Sequence, residues 1–137
     1  MIIVRNQEEV KKVTKPWGYE IWFAEPGNGD KFALKKIFIK APHQSSFQFH
    51  EKKEETIFIS EGTGVLHYSN KKIDIDAFKK NQYSDNDLLN IINNLDKKKL
   101  SAGDCITVKT GFVHSVEATT NLTIFEASTL ELDDVYR

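Results

Sequence analysis

Apolar and polar residues alternate with a period of two along most of this chain. Each alternating stretch is short and is followed by a turn rich in Gly, Asn, Asp or Ser. This is the pattern of β-strands that bury one face. The predicted strands are 19–23, 32–40, 47–50, 56–60, 65–68, 105–108, 114–118 and 122–127. Many short strands at regular spacing predict an all-β sandwich or barrel and argue against a parallel α/β sheet.

One segment departs from this pattern. Between 84 and 95, five aliphatic residues fall on one stripe at helical spacing, and Ser84 or Asp85 is suitable as the N-cap. We therefore expect one amphipathic helix near 84–95, within an insertion at 70–100 between two strands. We expect it to pack against the barrel wall, with a lid or a dimer contact as the alternatives. The adjacent triplet Lys97-Lys98-Lys99 is interpreted as a solvated turn.

Length and charge narrow the classes of protein that the chain can represent. Its 137 residues suffice for one domain with its own core, predicted to span 1–137 with an N-terminal arm at 1–14. With 19 Lys+Arg against 20 Asp+Glu, the chain lacks the basic excess of a nucleic-acid or membrane-surface protein. No apolar run approaches the ~20 residues of a membrane span.

Two further observations bear on where the protein is found. The first residues show neither the apolar stretch nor the cleavage site of a signal peptide. Cys105 is the only cysteine, so an internal disulfide is excluded. We therefore expect a cytoplasmic location.

The stretch PHQSSFQFHEKKEETIFISEG, at 42–62, carries the candidate chemistry. On a strand, Ser46, Gln48 and His50 point to one face. Glu55 begins the next strand, so pairing of the two strands lets Gln48, His50 and Glu55 converge. An imidazole, a carboxylate and an amide oxygen suit a divalent metal ion. His114, on a distant predicted strand, is the candidate for a fourth ligand.

Two assignments in this ligand set stay open. Gln48 either binds the metal through its amide oxygen or hydrogen-bonds a water on the metal. Glu54 would replace Glu55 if the strand shifted by one residue, although the spacing to Gly62 favours Glu55.

Other charged residues alternate with apolar residues in the predicted strands. Glu126 follows two aliphatic residues on its strand face and is either a general base near the metal or the partner of a lysine. Lys36 and Lys40 alternate with Phe38, which would turn both lysines inward, where each needs an anionic partner. A sugar phosphate would supply one, and Glu126 or an exposed rim would serve equally well.

The stretch at 42–62 resembles the first motif of the cupin superfamily. That motif is a glycine, five residues, His-x-His, three or four residues, Glu, six residues and Gly. His50, Glu55 and Gly62 stand at its spacing. Gln48 takes the place of the first histidine, and Pro42 takes the place of the opening glycine.

The second cupin motif is matched in part. It consists of a glycine, five residues, Pro-x-Gly, two residues and His. Gly103, Gly111 and His114 match it, whereas Lys109 replaces the proline. The resemblance implies an all-β cupin fold, a double-stranded β-helix or jelly-roll barrel, here with one inserted amphipathic helix.

A Gln/His/Glu/His ligand set resembles the zinc site of the phosphomannose isomerases among the cupins. The segment KPWGYE at 15–20 is similar to the opening of that group, and EASTLELDDVYR at 126–137 is similar to its ending, ExSTxELDDVxR. The chain is therefore identified as similar to the small stand-alone cupins related to the phosphomannose isomerase type II domain. The resemblance runs from 15 to 137, apart from the insertion at 70–100.

This resemblance implies one divalent metal ion, zinc first, with manganese, iron and nickel as alternatives. The implied activity is that of a metal-dependent aldose–ketose isomerase acting on a phosphorylated sugar, like mannose-6-phosphate isomerase, in carbohydrate metabolism. Its partner would be a small molecule, a sugar phosphate or a sugar nucleotide. The residues assigned to this activity are Glu126 and Lys36 for catalysis, Lys40 and Ser46 for substrate binding, and Gln48, His50, Glu55 and His114 for the metal.

Two other functions stay open at this point. One is a metal-binding cupin that recognises a sugar or sugar nucleotide without turning it over, and the other is an iron-dependent dioxygenase. Because cupins commonly pair, we expect a homodimer. The charged ending with Asp133, Asp134 and Arg137 is then either a surface or part of the subunit interface.

Overall fold

Short antiparallel strands make up most of the part of the chain that the structure, a computed structural model, describes: residues 1–130 and 135–136. The strands are β1 (Lys11–Lys15), β2 (Gly18–Ala24), β3 (Ala33–Ile39), β4 (Phe49–His50), β5 (Glu55–Glu61), β6 (Thr63–Tyr68), β7 (Asp96–Ser101), β8 (Cys105–Val108), β9 (His114–Ala118), β10 (Leu122–Ser128) and β11 (Val135–Tyr136). The helices are α1 (Ile75–Lys79) and α2 (Asp85–Asn93). Single 3-10 turns lie at Gln7–Glu9 and Pro26–Asn28.

The strands form two layers. The first layer is a six-stranded sheet in the order β1-β2-β3-β10-β5-β8. The second begins with β7-β6-β9 and continues through two isolated bridges, Gln44 with Glu117 and Gln48 with His114, to the pair β4-β11. Strands that follow one another in the chain therefore often lie in different sheets, as in a jelly roll.

Aliphatic side chains from both layers meet in the main core. They are Ile39, Ile57, Ile59, Leu66, Leu100, Val116, Ala118, Leu122 and Ile124. Because the contributing strands alternate in and out, the core residues of one strand are two positions apart. The all-β architecture predicted from the period-two pattern is confirmed.

Several predicted strands agree with the structure to within a residue or two, and β8 and β9 agree at both ends. The lysine triplet 97–99, interpreted above as a turn, lies instead in β7, whose partner is β6. This strand is at the edge of its sheet, where exposed lysines are compatible with strand structure and discourage pairing with other chains. Asp133, Asp134 and Arg137 lie outside the described residues.

The insertion between β6 and β7 carries the predicted helix and a second one. Helix α2 begins after Ser84, which forms a capping box with Asp87. The five-residue helix α1 was not predicted. The insertion covers an apolar cluster on the outside of the second sheet, where the Phe49 ring contacts the Phe78 ring edge-on at 5.1 Å between centroids. In the described part of the chain, no helix combines the length and the hydropathy needed to cross a membrane.

Gly62 forms the turn between β5 and β6, and two features require a glycine there. Its φ is +90°, in the region that favours glycine, and a Cβ atom would lie 2.1 Å from the carbonyl oxygen of Asn121. Gly103 has a similar φ of +97°, but a Cβ there would meet no atom within 4 Å. The two positions therefore differ mainly in the space around them.

We expect Gly103→Ala to lower the free energy of unfolding by about 1–2 kcal/mol, the usual cost of a left-handed non-glycine residue. Gly62→Ala should cost at least twice as much, because the backbone of Asn121 must also move. Urea denaturation followed by circular dichroism measures both. Equal losses would show that the contact at Asn121 relaxes without cost.

Candidate metal centre

Two histidines and one glutamate meet between the two sheets. His50 ends β4, His114 begins β9, and Glu55 begins β5 in the opposite sheet. Their side chains are buried, and one ligand atom from each lies within 4.8 Å of the other two. The rings of His50 and His114 are 5.6 Å apart between centroids. The structure thus brings together three of the four residues predicted as metal ligands.

The hydrogen bonds of His114 are compatible with a metal ion in this group. Its Nδ1 lies 3.0 Å from the carbonyl oxygen of Phe112, and because a carbonyl can only accept, Nδ1 is the donor. In a neutral ring Nε2 is then an acceptor, yet it lies 3.0 Å from Oε1 of Glu55. Two acceptors at this distance need a cation between them, either a proton or a metal ion. Such a backbone contact behind an imidazole is also typical of metal-binding histidines.

Gln48, the predicted fourth ligand, lies beside His114. The two residues exchange both backbone hydrogen bonds, at 3.1 and 2.9 Å, so they are directly opposed and their side chains share a face. Gln48 is half-buried. Its position is compatible with ligation or with a contact to a metal-bound water, and the assignment stays a prediction.

The choice between Glu54 and Glu55 has a clear geometric answer. Glu55 is 4% exposed and belongs to the group with the two histidines. Glu54 is exposed, and its Oε2 lies 3.3 Å from Nζ of Lys109. The two neighbours therefore lie on opposite sides of the chain, as expected for an extended segment.

Lys53 and Glu126 extend the group into a buried ionic network. Nζ of Lys53 lies 3.2 Å from Oε2 of Glu55 and 3.5 Å from Oε2 of Glu126, and all three side chains are less than a tenth exposed. Glu126 faces the interior, on the same side of β10 as Leu122 and Ile124. Glu126 is one of the predicted site residues, whereas Lys53 is not. Its spacing of two residues from Glu55 was the available signal, since such residues share a side of an extended chain.

The two carboxyl groups of this network have opposite proton affinities. Burial acts to raise the pKa of Glu55, but hydrogen bonds from His114 and Glu126 and the charge of Lys53 hold it well below its usual value. Burial, reinforced by the negative charge of Glu55, raises the pKa of Glu126 to about 8. Burial acts to lower the pKa of Lys53, yet Glu126 and Glu55 raise it overall, so the ammonium keeps its charge.

The predicted inward face of β3 is wrong by one residue. Lys35 is 8% exposed and lies directly opposite Glu126 on β10, whereas Lys36 lies opposite Phe125 on the other face. Lys40 is exposed beyond the end of β3. The lysine that reaches the interior from this strand is therefore Lys35. Lys36, for which a catalytic role is predicted, lies on the opposite face of the sheet from Glu126.

Ser46, predicted to bind substrate, is exposed. Its neighbour Ser45 is the residue that bonds to β9, through its Oγ and the backbone N–H of Val116 at 2.9 Å. The chain before β4 is irregular, so alternation does not extend back from His50 to Ser46. Ser46 thus lies apart from the buried network.

Comparison with solved structures identifies the fold. Ectoine synthase from P. lautus is 13% identical, with a TM-score of 0.68 over 98% of this chain and 88% of that one. KdgF from Halomonas sp. is 11% identical, with a TM-score of 0.65 over 94% and 95% of the two chains. The capsular polysaccharide assembling protein CapF from Staphylococcus aureus is 14% identical, with a TM-score of 0.66 over 93% of this chain.

These similar proteins have the cupin fold, and so has this chain. The chain covers 32% of the length of CapF, or about a third. It covers 95% of KdgF, nearly its whole length. No protein-family model matches the sequence. No curated protein matches it by sequence comparison.

Removing the carboxylate of Glu55 tests the metal group. We expect Glu55→Gln to weaken zinc binding at least about tenfold, because a charged ligand becomes a neutral amide. Glu54→Gln is the matched control and should bind zinc like the parent protein. Competition with a chromophoric chelator measures both affinities, and elemental analysis checks the content. Equal binding by the two variants would place the metal elsewhere.

Lys53 is expected to hold the network together. Lys53→Met leaves Glu55 and Glu126 buried without their shared cation, so the free energy of unfolding should fall by about 3 kcal/mol. Lys109→Met, which removes the exposed ion pair with Glu54, should change it little. Denaturation of the metal-free proteins measures the difference. Comparable losses would show that burial of the Lys53 ion pairs is unimportant for stability.

Proposed function

We propose that this protein is a metal-dependent isomerase that interconverts the aldose and ketose forms of a phosphorylated sugar, such as mannose 6-phosphate and fructose 6-phosphate. The observation that carries the proposal is the placement of Glu126. This second buried carboxyl group lies next to the His50, Glu55 and His114 group and is linked to it through Lys53. A candidate acid–base group therefore lies beside candidate metal ligands in one buried site.

The reaction requires a proton to move between two adjacent carbons of the sugar, through an enediol. A divalent metal held by His50, Glu55 and His114 would act as a Lewis acid toward the sugar oxygens and stabilise the negative charge that develops on them. The chain itself must supply the group that carries the proton.

Glu126 is suited to that task. Its carboxylate would take the proton from one carbon and return it to the neighbouring carbon, while the hydroxyl proton passes from one sugar oxygen to the other. A proton carrier works best when its pKa is near the working pH, and burial moves the pKa of Glu126 in that direction. Lys53 keeps a positive charge 3.5 Å from Oε2 of Glu126, which fixes the position of the carboxyl group.

The substrate class is supported by the sequence resemblance and by one similar structure. The ligand pattern and the flanking segments resemble the phosphomannose isomerases, and CapF is a capsular polysaccharide assembling protein. Both point to carbohydrate chemistry. The homodimer and the cytoplasmic location expected from the sequence also stay predictions.

The proposal predicts turnover that needs metal but not oxygen. Zinc- or manganese-loaded protein should convert mannose 6-phosphate to fructose 6-phosphate under nitrogen, as followed by a coupled assay. Glu126→Gln should lower kcat by about 10²- to 10⁴-fold, the usual contribution of a general acid–base group, while its metal content stays the same. Glu117→Gln, which alters a side-chain contact with His67 at 2.9 Å on another face, is the matched control.

Three results would contradict the proposal. One is metal binding without turnover, which would favour recognition of a sugar or sugar nucleotide. Another is oxygen consumption by the iron-loaded protein, which would favour a dioxygenase. The last is a Glu126→Gln variant with full activity, which would remove the proton carrier assigned here.

A further inference from the structure

A row of opposed side chains leads from Glu126 across the inner face of the six-stranded sheet. Residues directly opposite each other in antiparallel strands share a face, so the row is continuous. Its members, on β10, β3, β2 and β1 in turn, are Glu126, Lys35, Trp22 and Lys11. The row begins in the network around the candidate metal ligands and ends at the exposed Lys11.

Trp22 lies between two lysines. The ammonium of Lys35 is 4.2 Å from the centroid of the indole ring and that of Lys11 is 4.4 Å from it. Lys11 and Lys35 belong to the strands on either side of β2, and each ammonium gains a cation–π contact with the same indole. Both positive charges therefore lie against one ring.

Glu20 fixes the orientation of this cluster. Its Oε1 accepts a hydrogen bond from Nε1 of Trp22 at 2.9 Å and lies 3.8 Å from Nζ of Lys35. Lys11 has no ion pair with any residue of the described chain. Lys35 thus has the carboxyl groups of Glu20 and Glu126 as neighbours, whereas Lys11 keeps an ammonium available for an anion.

The spacing of the strands relates this cluster to the candidate catalytic group. Neighbouring strands are about 4.8 Å apart, so Trp22 lies about 10 Å along the row from Glu126, with Lys35 and Lys11 on either side of it. An extended six-carbon sugar phosphate has a similar length, so one molecule with its carbonyl end at Glu126 would bring its phosphate to the lysines beside Trp22.

We propose that Lys35 and Lys11, held on either side of Trp22, form the subsite that binds the phosphate of the phosphorylated sugar. This inference rests on the proposed function for the class of substrate. It also distinguishes the lysines of β1 and β3 by the face of the sheet on which they lie. Lys36 and Lys12, the chain neighbours of Lys35 and Lys11, lie on the opposite face and are excluded from the subsite.

The test compares binding of a phosphorylated and an unphosphorylated sugar to the zinc-loaded protein. Isothermal titration calorimetry with mannose 6-phosphate, mannose and inorganic phosphate should show that the parent protein prefers mannose 6-phosphate to mannose at least about tenfold. Lys11→Met and Lys35→Met should each weaken binding of mannose 6-phosphate about tenfold and leave mannose unchanged. Lys12→Met is the matched control and should keep the full preference.

The outcomes separate this inference from the proposed function. Lys35 is buried, so if Lys35→Met unfolds, Lys11→Met still decides, because Lys11 is exposed. A preference for the phosphate that is lost in Lys11→Met, without any turnover, supports the subsite and overturns the isomerase. Turnover with a preference that Lys11→Met and any folded Lys35→Met retain supports the isomerase and overturns the subsite. A parent protein that does not distinguish mannose 6-phosphate from mannose also overturns the subsite.

Discussion

A carboxylate buried in a β-barrel needs positive charge or hydrogen-bond donors around it, and Glu55 receives them from His114, which is distant in the chain, and from Lys53, two residues before it. One oxygen lies 3.0 Å from Nε2 of His114 and the other 3.2 Å from Nζ of Lys53. Taking these ions from water is costly, so the site requires all three groups together. The contacts join β5, β9 and the segment before β5, which means that the fold and the site cannot be separated energetically.

Much of the fold could be predicted from the sequence, because strands with one buried face alternate regularly. The prediction of the buried face was wrong in β3, because the two faces of this strand have similar residues. In β3, Lys35 and Lys36 are adjacent and each alternates with apolar residues. The large Phe38 suggested the core, yet Phe38 stacks on Tyr19 outside the sheet, at 5.2 Å between ring centroids. Strand β7 was missed because its lysines suit an exposed edge as well as a turn.

The candidate site was predicted in part for a related reason. His50, Glu55 and His114 could be found because their residue types and spacing match a known motif. Lys53 lies in the run EKKEE, where every residue is charged and local pattern does not indicate which one is buried. Its burial depends on Glu126, which is more than seventy positions further along the chain. Only the tertiary structure brings the two together.

The interior is divided along the direction of the strands, and this division explains how one fold supports both packing and chemistry. On β5, Glu55 is followed on the inner face by Ile57 and Ile59, and on β9 His114 is followed by Val116 and Ala118. Each strand therefore gives its polar residue to one end of the barrel and its apolar residues to the other. A shift of register by one residue would expose the core and scatter the ligands at once. The packing of the apolar end thus fixes the positions of the candidate ligands at the polar end. The strands transmit this constraint, so the ligands do not need to contact the core.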